Sequence, residues 1–122
     1  MALLHDVEET RSGDRNYIQR EYTKVFKDKI FKEQLKGLPF DDFADLMEEY
    51  EAKQTKESLV VKDADMLDQV LLLKEYAHQG NKEAQKWLED AHNISLQTNN
   101  AKKLLDKILM SDVTDWWREF LS

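Results

Sequence analysis

The sequence lacks cysteine altogether and contains only three glycines and one proline among 122 residues. Without cysteine there is no disulfide framework and no thiolate metal site. So little glycine and proline argues against a protein built from many tight β-turns, and long uninterrupted stretches of good helix formers favour helices. No stretch is apolar and long enough to cross a bilayer, and the N-terminus lacks the features of a signal peptide. The sequence predicts an all-α protein in the cytoplasm with no membrane partner.

The charge pattern argues against a nucleic-acid-binding protein. The chain carries 25 acidic and 18 basic residues, a formal net charge of −7, and its lysines alternate with acids. Such a surface repels phosphate backbones, so no nucleic-acid partner is expected. Three Trp, four Tyr and five Phe supply the core material that disordered polyelectrolytes lack. We therefore expect a single globular domain over residues 1–122.

Apolar residues recur at helical spacing through most of the chain. The pattern predicts successive helices, which cover residues 1–9, about 20–36, 43–50, 58–77, 84–94 and 101–109. Asp14 can cap the element that follows the first helix, Asp41 or Asp42 the helix that contains Phe43, and Asn99 or Asn100 the last long helix.

Segment 58–77 is apolar on nearly every side of its axis, which predicts the central buried helix of the fold. Trp116, Trp117 and Phe120 lie in a short terminal turn and are expected to pack onto the helices. Stacking of these aromatic rings on a nucleobase is the alternative, but their helical spacing favours packing.

A candidate metal-binding pair stands at the start of the chain. His5 and Asp6 are neighbours on the predicted first helix, about 100 degrees apart around its axis. An imidazole nitrogen and a carboxylate oxygen at this spacing can converge on one cation. Glu9 lies one turn further on, where it can orient a ligand or a water as a base. The alternative is a solvated acidic helix end, since an isolated His-Asp pair is a weak motif.

Two further carboxylates, Asp63 and Asp65, lie at the start of the most apolar helix. A carboxylate in such surroundings needs a partner or a cation. The two residues point to opposite sides of the helix, so at most one faces the interior, and spacing does not decide which. The alternative is that both cap the helix and interact with its positive end.

Three motifs follow one another in a fixed order along the chain. They are the opening string Met1 to Asp14, the segment Val60 to Leu67, and Glu75 to Gly80. In this order they resemble HD-domain metal-dependent phosphohydrolases of the bacterial and archaeal 5'-nucleotidase type. The similarity extends to Gly37-Leu-Pro-Phe40 and to Trp116-Trp117, and several ordered motifs are more specific than any one.

The resemblance implies particular places or roles for six residues. It implies that His5, Asp6 and Asp65 hold the metal, with Asp63 as the neighbour on the solvent side. It also implies that Glu9 and Asp14 line the phosphate pocket and position the attacking water.

The chain departs from the family pattern at its start. Family members carry one or two helices before the His-Asp helix, with an early metal-binding histidine and a basic residue for the substrate phosphate. Met1 aligns with a position that is ordinarily internal, so we expect an N-terminally shortened, incomplete HD-domain-like helical bundle. His78 lies about 20 Å along its helix from Asp65 and does not replace the early histidine, nor does His92. Three protein ligands instead of four should weaken metal binding and water activation.

The reaction that the resemblance implies is hydrolysis of a phosphomonoester, with nucleoside 5'-monophosphates as substrates and a divalent metal ion as cofactor. Nitrogen and oxygen ligands suit Mn, Co, Fe, Mg or Zn. One alternative is a catalytically silent helical module whose apolar surface is buried in a homo-oligomer such as a dimer. The other is an HD hydrolase that acts on nucleoside triphosphates or cyclic phosphodiesters.

Overall fold

The computed structural model describes residues 1–40 and 42–121, and within these ranges every regular element is helical. The prediction of an all-α protein is therefore confirmed. The α-helices are α1 (Glu9–Ser12), α2 (Tyr17–Tyr22), α3 (Lys27–Leu35), α4 (Asp42–Ala52), α5 (Lys56–His78), α6 (Lys82–Glu89), α7 (Asn99–Met110) and α8 (Asp115–Arg118). The 3₁₀-helices are Ala91–Asn93 and Glu119–Leu121. Among the described helices, none is long and apolar enough to cross a membrane.

The chain divides into two compact units, Met1–Ser58 and Leu59–Ser122, called here the N-terminal and the C-terminal unit. The expectation of one domain over the whole chain stays a prediction. Of the two capping candidates ahead of Phe43, Asp41 lies outside the described residues, and α4 begins at Asp42.

The segment predicted as the first helix is a run of tight turns as far as Glu8. Its backbone hydrogen bonds span three residues, from Leu4 N to Met1 O at 2.8 Å and from Val7 N to Leu4 O at 3.0 Å. Only Glu9–Ser12 forms an α-helix, so the prediction of a helix over residues 1–9 is wrong. A helix this short is unstable without a cap or packing, and the N-cap position holds Glu8, whose side chain caps nothing.

The single helix predicted over about 20–36 is two helices, α2 and α3. Asn16, not Asp14, caps α2: its side chain accepts from Gln19 N at 2.9 Å, and the Gln19 side chain accepts from Asn16 N at 3.0 Å. Thr23 then adopts an extended conformation and donates its hydroxyl to Gln19 O at 2.8 Å. This side-chain bond competes with the backbone hydrogen bond that would continue the helix.

In the N-terminal unit, α3 and α4 supply the buried apolar side chains of Phe31, Met47 and Tyr50. The connection between these helices passes through Gly37, whose φ of +80° places it in the left-handed region that glycine adopts without strain. The opening turns of residues 1–8 lie on the surface that these two helices form.

The C-terminal unit has a core built from α5, α6, α7 and the segment that joins α6 to α7. Its buried residues are Leu67, Val70, Ala91, Leu96, Ala101, Leu105 and Ile108. The N-cap of α7 is Thr98, whose hydroxyl accepts from Ala101 N at 3.3 Å, so the prediction of Asn99 or Asn100 as the cap is wrong. The Lys74 ammonium group donates to the carbonyls of Ile108 and Ser111 and so satisfies the C-terminal end of α7.

Two packing predictions for this unit are wrong. The long helix α5 is present, but it is not buried on every side: Leu71, Leu72 and Tyr76 are each 45% exposed. At the end of the chain, Trp116 is 76% and Phe120 is 81% exposed, so these rings are not packed as expected. Helical spacing shows which residues share a face, but not whether another element covers that face.

Candidate metal and phosphate site

His5 and Asp6 face each other within the opening turns. His5 Nε2 lies 2.9 Å from Asp6 Oδ2, and His5 Nδ1 lies 2.7 Å from the carbonyl oxygen of Ala2. A carbonyl only accepts, so Nδ1 donates to Ala2, and a neutral imidazole then turns the lone pair of Nε2 toward the Asp6 carboxylate. Two acceptor atoms this close need a proton or a cation between them.

The separation of this pair is that of a hydrogen bond or ion pair, and it is also compatible with two ligands of one divalent cation. Ligand atoms about 2.1 Å from one ion and at right angles, as in octahedral coordination, lie about 3 Å apart, close to the 2.9 Å between His5 Nε2 and Asp6 Oδ2. A histidine that binds metal usually donates its other ring N–H to a carbonyl or carboxylate, as His5 does to Ala2. A nitrogen and a carboxylate oxygen suit Mn, Co, Fe, Mg or Zn, so two of the three predicted ligands fit the cofactor.

Glu9 begins α1 directly after these turns, and its side chain is 16% exposed. Burial raises the pKa of Glu9, and the negative charges of Asp6, Asp14 and Glu8 raise it further. The guanidinium of Arg20, 4.0 Å away, acts in the opposite direction but does not cancel these effects. A glutamate with a raised pKa is suited to accept a proton near neutral pH. Asp6 and Asp14 thus both act electrostatically on Glu9 inside the N-terminal unit.

Asp65, the third predicted ligand, lies on α5 in the C-terminal unit. Its side chain is 23% exposed and accepts from Lys62 Nζ at 2.7 Å, one helical turn away. Over residues 1–40 and 42–121, no group of three or more His, Cys, Asp or Glu side chains is arranged to hold a metal ion. Joint binding of one ion by His5, Asp6 and Asp65 therefore stays a prediction.

Asp63 was expected on the solvent side of α5, and this is wrong. The residue is 2% exposed, and its carboxylate accepts from Gln97 N and Thr98 N, each at 2.8 Å. Burial alone would raise the pKa of Asp63, but these hydrogen bonds, together with the charge of Lys102, hold it below its ordinary value. Asp63 therefore anchors the segment before α7 to α5, a structural role that the spacing of the two aspartates left open.

Sequence reasoning missed the residues that support the opening turns. Glu8 is 1% exposed and lies 2.8 Å from Lys27 Nζ, and Gln34 donates to the backbone of Val7 at 3.0 Å. Of the acidic pair Glu8-Glu9, only Glu9 was singled out, because in an ideal helix it is a neighbour of both His5 (i+4) and Asp6 (i+3). Nothing in the sequence pattern singled out Lys27 or Gln34, whose roles depend on packing between elements distant in sequence.

Of the comparisons with known proteins, the one with protein-family models agrees with the helical fold. The family model described as HD domain matches residues 1–108, so the chain belongs to the HD domain family. Proteins of this family are generally metal-dependent phosphohydrolases, typically with a divalent ion. Neither the comparison with curated proteins nor that with solved structures gave a significant match.

Proposed function

We propose that this chain hydrolyses phosphomonoesters, with nucleoside 5'-monophosphates as the substrate class and a divalent cation held by His5, Asp6 and Asp65. The observation that carries the proposal is the orientation of His5. Its Nδ1 is fixed by the Ala2 carbonyl and its Nε2 faces the Asp6 carboxylate at 2.9 Å, an arrangement that a cation between the two would satisfy. Membership of the HD domain family supports the reaction class.

The side chains of the N-terminal unit have distinct tasks in the proposed reaction. A divalent cation, when bound, supplies Lewis-acid polarisation of the phosphoryl group and lowers the pKa of a water. His5 and Asp6 provide two of its ligands, and the hydrogen bond to Ala2 holds the His5 ring in the required orientation. Glu9 accepts the proton of the attacking water at a carboxylate oxygen, and Asp14 orients that water from the loop after Gly13. The water oxygen forms a new bond to phosphorus as the ester P–O bond breaks, and the proton held by Glu9 is returned to the leaving alkoxide. The products are inorganic phosphate and the alcohol, a nucleoside.

The proposal is tested by measuring phosphate release from deoxynucleoside 5'-monophosphates with Mn or Co. Metal-dependent release that stops on addition of a chelator is the expected result. Matched assays with nucleoside triphosphates and cyclic dinucleotides distinguish the other HD hydrolase activities. The proposal is contradicted if no phosphate ester is hydrolysed with Mn, Co, Fe, Mg or Zn and calorimetry detects no metal binding.

Substitution of Glu9 is expected to change the pH profile of this activity. Because Glu9 must lose its proton before it can act as the base, activity should rise with pH through the pKa that Glu9 has in the metal-bound chain. Glu9→Gln should remove this rise of activity with pH, which is the acidic limb of the profile, and should lower kcat by about 10²-fold or more. Glu21→Gln, an exposed change on α2, is the matched control and should leave the profile unchanged. An acidic limb that persists in Glu9→Gln shows that another group is the base.

A second candidate function, a homo-oligomeric helical module, is favoured by exposed apolar side chains in the C-terminal unit. These side chains are Leu71, Leu72, Tyr76, Trp87, Leu104, Met110, Trp116, Phe120 and Leu121. Exposed apolar side chains of this size can be buried in an interface between copies of the chain. We expect sedimentation velocity to show a dimer, and Trp116→Ser with Phe120→Ser to weaken it. A monomer at all concentrations, with no loss of solubility, argues against this candidate.

A further inference from the structure

The segment that carries His5, Asp6 and Glu8 has little internal support. Its three-residue turns lack the continuous hydrogen bonding of an α-helix, as Leu4 N to Met1 O and Val7 N to Leu4 O show. Contacts with other elements, among them the edge-to-face contact between the rings of Tyr50 and His5, therefore help to hold these turns in one conformation. The contacts that hold these turns therefore decide where the predicted metal ligands lie.

Gln34, near the C-terminal end of α3, provides the first of these contacts. Its side-chain amide Nε2 donates to Val7 O at 3.0 Å and to Thr10 Oγ1 at 2.8 Å. Val7 and Thr10 stand on either side of the Glu8-Glu9 pair. A single amide thus joins both ends of this pair to α3, and it uses both of its hydrogens to do so.

Lys27, at the first residue of α3, provides the second contact. Its ammonium lies 2.8 Å from Glu8 Oε1 and 3.3 Å from Glu51 Oε1 on α4. Glu8 is 1% exposed and lines a cavity of about 30 Å³ with Phe31 and Met47. A carboxylate so deeply buried requires a cationic partner. Lys27 therefore fixes the side chain of Glu8, and with it the backbone at Glu8, two residues beyond Asp6.

We infer that Gln34 and Lys27 are positioning residues, which hold the turns from His5 to Glu9 in the geometry that metal binding and proton transfer require. The inference rests on the proposed function. It adds that Gln34 and Lys27, from the two ends of α3, together hold these turns; the two residues are called here the clamp. Gln34 and Lys27 hold these turns through neighbours of His5 and Asp6 in the sequence. Each acts through another group, Gln34 through the backbone of Val7 and Lys27 through the Glu8 side chain.

Gln34→Met tests the first arm of the clamp, because methionine keeps the length of the side chain and removes the donor. We expect the Kd for Mn²⁺ to rise about tenfold and kcat to fall by a similar factor, while KM changes less than about twofold. Amide hydrogen exchange at Val7, Glu9 and Thr10 should speed up about tenfold as two hydrogen bonds are lost. Gln85→Met, an exposed change on α6, is the matched control and should leave all four quantities unchanged.

Lys27→Arg and Lys27→Met test the second arm. Arginine keeps a cation against Glu8 and should preserve the Kd for Mn²⁺, whereas methionine leaves Glu8 buried without a partner and should weaken metal binding about tenfold. A wild-type chain that binds no manganese overturns the proposed function and with it the catalytic purpose of the clamp. A wild-type chain that binds manganese, with Kd, kcat and exchange rates unchanged in Gln34→Met, overturns the inference alone. Faster exchange with unchanged Kd and kcat also overturns it, because the clamp is then merely structural.

Discussion

Asp65→Asn is expected to reduce manganese-dependent phosphate release by more than about a hundredfold and to weaken Mn²⁺ binding strongly. The amide keeps the shape of the side chain but loses the charge that a hard cation prefers in a carboxylate ligand. The ion pair of Asp65 with Lys62 is partly exposed, so its loss should change the free energy of unfolding by less than about 1 kcal/mol. The comparison of calorimetric Kd, kcat and Tm separates a lost ligand from a lost fold.

Asp68→Asn is the matched control for this prediction. Asp68 lies on α5 one turn beyond Asp65 and is exposed, so the same change of charge there should leave metal binding and kcat within about twofold. Equal losses in the two variants indicate a general effect of charge. Full activity in Asp65→Asn removes this residue from the metal site.

Asp63→Asn is expected to have the largest effect on stability, a loss of about 3 kcal/mol in the free energy of unfolding. The carboxylate accepts from the backbone N–H groups of Gln97 and Thr98, and an amide can replace only one of its two acceptor oxygens. The other donor then remains buried and faces an NH₂ group, in a residue that is 2% exposed. Urea unfolding, with Asp68→Asn as control, measures the difference. A loss below about 1 kcal/mol contradicts the anchoring role of Asp63.

The same carboxylate makes stability depend on pH in a definite direction. The pKa of Asp63 is lower in the folded chain than in the unfolded chain, so its contribution is complete above about pH 4 and is lost as the pH falls further. Asp63→Asn lacks this contribution at every pH. We therefore expect the difference in unfolding free energy between wild type and Asp63→Asn to shrink as the pH falls below about 4. A difference that stays constant over this range contradicts the lowered pKa.

Secondary structure was predictable from sequence wherever the signal was local and strong. The apolar run of 58–77 predicted α5 closely, and the Asn81 side chain caps α6 by accepting hydrogen bonds from Glu83 N and Ala84 N. The ends of weaker helices were missed because side-chain hydrogen bonds decide them. The hydroxyl of Thr23 interrupts the predicted second helix, and that of Thr98 caps α7 in place of an asparagine.

The candidate site was predictable only in part, for the same physical reason. Adjacency along the chain brings His5 and Asp6 together whether the backbone is helical or turned, so the pair was found although the helix was not. The burial of Asp63 depends on the segment at Gln97, 34 residues away, which no helical period reveals. Residues that act across elements, such as Lys27 and Gln34, are recognised only when the packing is known.

Joint binding of one ion by His5, Asp6 and Asp65 is tested most directly by a crystal structure of the chain grown with Mn²⁺, with the ion located by anomalous scattering. We predict one peak about 2 Å from His5 Nε2 and from carboxylate oxygens of Asp6 and Asp65. An ion held by His5 and Asp6 without Asp65, or no ion at this pair at saturating manganese, would contradict it.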